Sequence, residues 1–373
     1  MRDKRFVAAA LAAQLVVAVI AWFLFPKLPP RLTLIAAGYG ELPGWRADQL
    51  AAALPALQRS CATLLAKPAE APLDARPKSF DFGTLAEWRP ACEAAAALPA
   101  GDDGAARRFF EANFTPFLAG NNGDSDGLFT GYFELTLDGS RQRGGPYQTP
   151  LYRRPRDGDR TRYTRAEIED GGLRGKGLEL LWVSDPIAAF FLEIQGSGRV
   201  RLPDGSMVRV GYDGSNGKRY VAVGRLLVDR GIMPREKVTM AGIRNWMRAH
   251  PKEGGELRRD NPSYVFFREI AGPGPLGAER VPLTAGRSLA VDRALLPLGV
   301  PIWVAADERF SKGTIRRLVV AQDTGGAIKG PVRGDLFWGH GKAAANGAGA
   351  MNAKGRYYLL LPKAVAARIA AAH

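Results

Sequence analysis

Two aspartates near the end of the chain, Asp323 and Asp335, bracket a glycine-rich loop within Ala321–Gly341 (AQDTGGAIKGPVRGDLFWGHG). Paired carboxylates in a polar cleft are the usual equipment for cleaving a glycosidic bond, because one can be kept protonated while its neighbour stays ionised. The apolar run Leu318, Val319, Val320 leads into Asp323, and six glycines (Gly325, Gly326, Gly330, Gly334, Gly339, Gly341) allow the backbone to turn or approach other groups closely. Aspartates beside glycines also form ordinary turns. Lys329 and Arg333 lie between the two acids, where they tune charge, meet a substrate carboxylate or are simply solvated. An acid at Asp335 needs a raised pKa, which Leu336, Phe337, Trp338 or the charge of Asp323 would supply.

Candidates for holding a sugar are spread upstream. Tyr132, Tyr152, Tyr212 and Tyr220 can stack on sugar rings or pack in the core, while Gln195, Ser197 and Asn216 can hydrogen-bond to N-acetyl or hydroxyl groups. Gln195-Gly196-Ser197-Gly198 lacks the lysine and length of a phosphate-binding loop, so it reads as a tight turn or as backbone lining a groove. Gly325, Gly326 and Lys329 complete the expected binding set, with Asp292 as a third aspartate in a structural role. No metal or cofactor is expected: His250, His340 and His373 lie far apart.

The elements that must position these residues follow from composition and pattern. With 373 residues, 44 Gly and 26 Pro, the chain is long enough for two domains and rich in strand-and-turn signals. A net charge of +15 calls for an acidic partner, but the arginines are dispersed and form no stripe, which argues against nucleic acid. Arg2, Lys4 and Arg5 precede an apolar run, Phe6–Phe25, broken only by Gln14 and followed by Pro26, Pro29 and Pro30. Residues 1–30 therefore read as an inner-membrane anchor in preference to a cleaved signal, with the rest exported to the periplasm. No cysteine follows closely enough for lipid attachment. Alanine-rich segments at Arg46–Ala66 and Pro90–Leu98, then Gly104–Phe117, read as helices. Cys61 and Cys92, the only cysteines, suggest a disulfide between the first two, with two buried thiols as the alternative. From Leu128 the pattern turns strand-like and includes the apolar run Ala188–Ile194. Helices follow over Val221–Arg230 and Thr239–His250, then strands at Asn261–Glu269, Ser288–Asp292, Leu295–Trp303 and Arg356–Leu361. Strands at this spacing suggest a small closed barrel.

The ordered set GYFE (131–134), PLYRRP (150–155), IQGSGRVRLPDG (194–205), GYDGSNGKRYVAVGRLLVDRG (211–231), NPSYVFF (261–267) and AQDTGGAIKG…GD resembles the family of membrane-bound lytic murein transglycosylase A, over roughly residues 50–362. The resemblance implies a mainly β protein. A double-psi β-barrel would come from residues 31–136 and 273–373, with an inserted β-rich domain at 137–272 and a glycan groove between them. It implies cleavage of the β-1,4 bond between N-acetylmuramic acid and N-acetylglucosamine in peptidoglycan, leaving a 1,6-anhydro end. Related barrels in plant expansins and some endoglucanases carry an aspartate that matches Asp335, the implied acid/base, with Asp323 beside it. Peptidoglycan strands are the implied partner, with wall-synthesis proteins as further candidates. The alternatives are a hydrolytic β-1,4-glycosidase, which needs a second carboxylate such as Asp292 to activate water, and a non-catalytic wall-binding or wall-loosening module.

Overall fold

The computed structural model describes residues 29–77, 80–156, 161–272, 274–308 and 313–371. The basic-apolar segment at the N-terminus and His373 lie outside the described residues.

Thirteen strands form one continuous sheet among the described residues. They are β1 (Leu32–Ala36), β2 (Phe114–Asn121), β3 (Gly127–Ser140), β4 (Thr149–Tyr152), β5 (Glu179–Val183), β6 (Ser197–Arg201), β7 (Met207–Ser215), β8 (Val265–Glu269), β9 (Ser288–Ala290), β10 (Pro301–Glu308), β11 (Thr314–Asp323), β12 (Arg333–His340) and β13 (Asn352–Pro362). Six of them close on themselves: β13 pairs with β10, β10 with β11, β11 with β9, β9 with β12, β12 with β3, and β3 again with β13. The pairings β11–β9 and β12–β3 are parallel. Parallel neighbours need crossovers, so strands far apart in sequence become adjacent.

β3 is the shared element. Its first half belongs to the ring, and its second half pairs with β6 and β5, from which β7 and β8 continue. A ring core around Trp303, Leu318, Val320 and Leu359 takes in the N-terminal helices, and a second core gathers Phe190, Leu192, Val200 and Leu227; Trp338 packs against both. Glu134 on β3 is buried and accepts from Arg199 Nε at 2.8 Å and Arg209 Nε at 2.9 Å. That ion triad ties β3 to β6 and β7.

Several local expectations needed correction. The run Ala188–Ile194 is not a strand but part of a helix, Pro186–Gln195, because Asp185 caps the amides of Ile187 and Ala188 and Pro186 sits in the first turn. Pro90 does not open its helix either. A capping box between Thr84 and Glu87 starts it at Leu85 and leaves Pro90 inside Leu85–Ala96. The third helix ends at Asn113, where Phe114 begins β2. Pro251–Arg259 and Gly341–Ala350 are further helices, the first opened by Pro251 with Glu253 in its first turn and the second holding three glycines. The helices Leu54–Leu65 and Leu85–Ala96 are joined by a disulfide between Cys61 and Cys92, 31 residues apart. Replacing both with alanine is expected to lower stability by about 3–4 kcal/mol, from the chain entropy of a loop this long. Denaturant titration measures it.

Candidate active site

Asp335 lies on β12 between two neighbours, facing Ala290 of β9 and Thr130 of β3. Side chains two residues apart on a strand share a face. Thr130 and Tyr132 therefore project together, and each holds one acid. Thr130 Oγ1 donates to Asp335 Oδ1 at 2.6 Å, and the Tyr132 hydroxyl donates to Asp323 Oδ2 at 2.8 Å. Gly131 between them is required by packing, since a Cβ there would lie 2.6 Å from Trp338 Nε1 and 2.7 Å from Ala348 Cα.

The two carboxylates differ in how they are held. Asp323 is fully engaged: Oδ1 accepts from the amides of Ala278 and Thr324, each at 2.9 Å, and Oδ2 from Tyr132. Burial raises its pKa, and these three donors oppose the rise. Asp335 has only Thr130 on Oδ1, and its Oδ2 has no hydrogen bond among the described residues. Burial pushes the Asp335 pKa up; the Arg333 charge and the Thr130 hydrogen bond pull it back, Asp323 adds to the rise, and the result is about 6. Arg333 is wired into the same group, donating to Thr130 Oγ1 at 2.7 Å and to the carbonyls of Leu128 and Gly334. An acid near neutrality, with one oxygen fixed and the other free, can pass a proton back and forth.

The remaining candidates divide. Tyr132 is buried and serves Asp323. Gln195, at the end of its helix, accepts from the Phe133 amide at 2.9 Å, and Gly196 closes that helix with a φ of 75°. Ser197 is buried at the start of β6. The turn 195–198 thus lies beside β3 just past Tyr132. Tyr220 packs toward the loop after Asp323, where a Cβ on Gly326 would meet it at 4.0 Å. That brings together the two parts of the chain expected to flank a groove. Tyr212 is exposed, and Gly325 sits in the same loop, turned toward Ile328. Lys329 is exposed, 3.7 Å from Asp292. Asp292 is buried and fixes that loop, taking the Gly330 amide at 2.9 Å.

Asn216 is a correction. It has no exposed surface, and its amide bonds the backbone at Tyr163, Pro262 and Tyr264. Its polar atoms are consumed in joining loops, so no sugar reaches them. Tyr152 is likewise buried. Sequence reading missed Thr130, which lies 205 residues from Asp335. Its place in the alternation with Tyr132 was the one available signal.

Fold and site together define a β protein in which a closed ring of strands presents an unequal aspartate pair beside an inserted sheet. The MltA specific insert domain family matches residues 128–268 and the 3D domain family residues 287–361. The chain is similar to membrane-bound lytic murein transglycosylase A of Vibrio cholerae, at 36% identity over 250 residues, which span 65% of this chain and 67% of that protein. Among solved structures it is similar to a lytic transglycosylase of Burkholderia pseudomallei (43% identity, TM-score 0.60, 90% of this chain and 98% of that one). It is also similar to the Escherichia coli MltA with bound chitohexaose (28% identity, TM-score 0.63, 90% and 94%). The chain belongs to the family of membrane-bound lytic murein transglycosylase A.

Proposed function

We propose that this chain cleaves the β-1,4 bond between N-acetylmuramic acid and N-acetylglucosamine in peptidoglycan, with Asp335 as a single acid/base. The carrying observation is the asymmetry of the pair: Asp335 keeps Oδ2 free at a pKa of about 6, while every oxygen of Asp323 is engaged. The protonated Asp335 gives its proton to the glycosidic oxygen as oxocarbenium-like charge develops. The resulting carboxylate takes the proton of the muramic 6-hydroxyl as that oxygen attacks C1 and closes the anhydro ring. An internal nucleophile at high effective molarity replaces water. Hydrolysis would need a second free carboxylate, and both Asp323 and Asp292 are occupied by backbone donors. Asp323 acts as a fixed negative neighbour.

Mass spectrometry of muropeptides released from purified peptidoglycan tests this reading. Anhydro-ended products from wild type support it; reducing-end products would replace it with hydrolysis, and no product with intact glycan binding would leave a binding module. The acid role requires the protonated form, so kcat/KM is expected to fall about tenfold per pH unit above about 6. Thr130→Val removes a hydrogen bond that favours the ionised form. The basic limb should then move to higher pH, while kcat falls about 10–100-fold as Asp335 loses its hold. An unmoved limb would show that Asp335 is not the group titrating.

We also infer that the six-strand ring is a double-psi β-barrel, that Tyr220, Tyr212, Gln195, Gly196, Ser197, Gly325, Gly326 and Lys329 flank the glycan, and that the protein works on the periplasmic side behind an anchor at 1–30. The closed pairings and the Tyr220–Gly326 approach support the first two. No helix among the described residues is long and apolar enough to cross a membrane. Fractionation of the full chain, compared with a form starting at Arg31, checks the anchor; equal membrane retention would remove it.

A further inference from the structure

A cavity of about 270 Å³ opens in the inserted part, between β4, the turn around Gly171, β5 and the helices Pro186–Gln195 and Pro251–Arg259. β5 pairs with Gly139 and Ser140 at the far end of β3. At ~3.3 Å per residue the strand from Thr130 to Gly139 spans about 30 Å, so this cavity is separate from Asp335.

Its floor carries two tyrosines, Tyr152 and Tyr264, which are 4% and 6% exposed. Neither phenolic hydroxyl has a hydrogen-bond partner among the described residues, and neither is a sealed orphan, so both are reached from the cavity. Buried hydroxyls without partners are uncommon. Arg165 and Glu193 beneath them satisfy each other through a bidentate pair. What remains at the walls is mainly positive. Arg143 stacks over Trp182 at 5.5 Å, Arg174 folds against the bare backbone of Gly171, where a Cβ would lie 3.3 Å from its guanidinium, and Arg258 completes the set. The guanidinium groups of Arg174 and Arg258 have no hydrogen bond or ion pair among the described residues. Glu179 and Glu169 are the acids facing them, and Glu169 lies 3.5 Å from Arg165.

We propose that this cavity binds a short peptide through a free carboxylate, held by Arg174 and Arg143 with the hydroxyls of Tyr152 and Tyr264 as donors. Arginine forks suit carboxylates, and hydroxyls at the bottom of a pocket fix their orientation. Glu179 takes an ammonium group of the same peptide, and the volume accommodates about one or two residues. The site would hold a peptide borne by the polymer at a distance from the bond being cut. The wall peptide as the source rests on the glycan reading above; the carboxylate site does not.

Calorimetry on the full chain in detergent, with L-alanyl-γ-D-glutamyl-L-lysine and its diamide, in which the glutamyl α-carboxyl and the C-terminal carboxyl are both blocked, as probes, tests this site. Saturable binding is expected with the free acid, at least tenfold weaker for the diamide and for Arg174→Gln. Tyr152→Phe should weaken binding less. Arg174 is exposed, so its variant should fold, and its cleavage of peptide-free glycan should match wild type while KM on intact peptidoglycan rises. Equal affinity in wild type and Arg174→Gln, or no saturation up to about 10 mM, overturns the proposal. Arg174-dependent peptide binding in a protein that releases no anhydro product would keep the site and remove the wall reading.

Discussion

Asp335→Asn is expected to lower turnover by at least 10²–10⁴, the range contributed by a positioned acid/base, and at the same time to make the protein more stable at neutral pH. The second effect follows from the sign of the pKa shift. Burial lifts the Asp335 pKa to about 6 from 3.8, so the folded state binds its proton more tightly than the unfolded chain does. The penalty for ionising it is absent below about pH 4, grows between 4 and 6, and is fully present above. Asparagine removes it. The full shift would correspond to about 3 kcal/mol, but water still reaches one face of the carboxylate, so a gain of roughly 1–2 kcal/mol is expected, or about 1.5–3 °C in Tm for a chain of this length. Calorimetry at pH 7.5 and at pH 4 separates the cases: the gain should be present at the first and vanish at the second. A variant that is both inactive and less stable at pH 7.5 would mean the carboxylate is structural.

The largest stability loss is expected from Arg165→Met, at about 3–5 kcal/mol. Arg165 is 2% exposed and holds Glu193 through both terminal nitrogens, at 2.9 and 2.8 Å, while Nε and Nη2 also donate to the carbonyls of Asn261 and Ser263. Its guanidinium lies over the rings of Phe190 and Tyr264 as well. Removing it leaves Glu193 buried without a counter-charge, which is far worse than having neither group. Arg165→Met with Glu193→Met should therefore recover most of the loss. Burial already pushes the Glu193 pKa up and Arg165 opposes it, so the single variant should take up a proton and be least damaged at acid pH. The loss has a functional side, because Asn261 Oδ1 receives the Val221 amide next to Tyr220. KM for glycan should rise in the single variant even where it remains folded. Denaturant midpoints of the three proteins at two pH values decide the point; a double variant as unstable as the single one would exclude the unpaired charge as the cause.

The amino-acid sequence alone determined whatever chemistry is short-range. The strand end, glycine loop and second acid of the site lie within Ala321–Gly341, so their association needs no folding information. Two cysteines permit only one intramolecular pairing, and Cys61–Cys92 forms it. The blocks from GYFE to NPSYVFF carried the family, which the matches at 128–268 and 287–361 show. Local signals failed where two readings were equally compatible with hydropathy. The apolar run Ala188–Ile194 suits a buried strand or a buried helix, and Asp185 with Pro186 tips it to helix. Gly341–Ala350 mixes five alanines with three glycines, so its propensity is ambiguous, and packing of Ala344 and Ala348 into the second core settles it as helix.

Tertiary structure decided which of the two aspartates has a free oxygen. That depends on the parallel register of β12 on β3, which sets Thr130 opposite Asp335, and on the loop amides of Ala278 and Thr324 that occupy Asp323. It likewise turned Asn216 inward and paired Arg165 with Glu193. A side chain's type limits what it can donate or accept, but burial and the partner across the sheet fix its charge and its free lone pairs. Those partners lie tens to hundreds of residues away, where only the closed set of strand pairings brings them within reach.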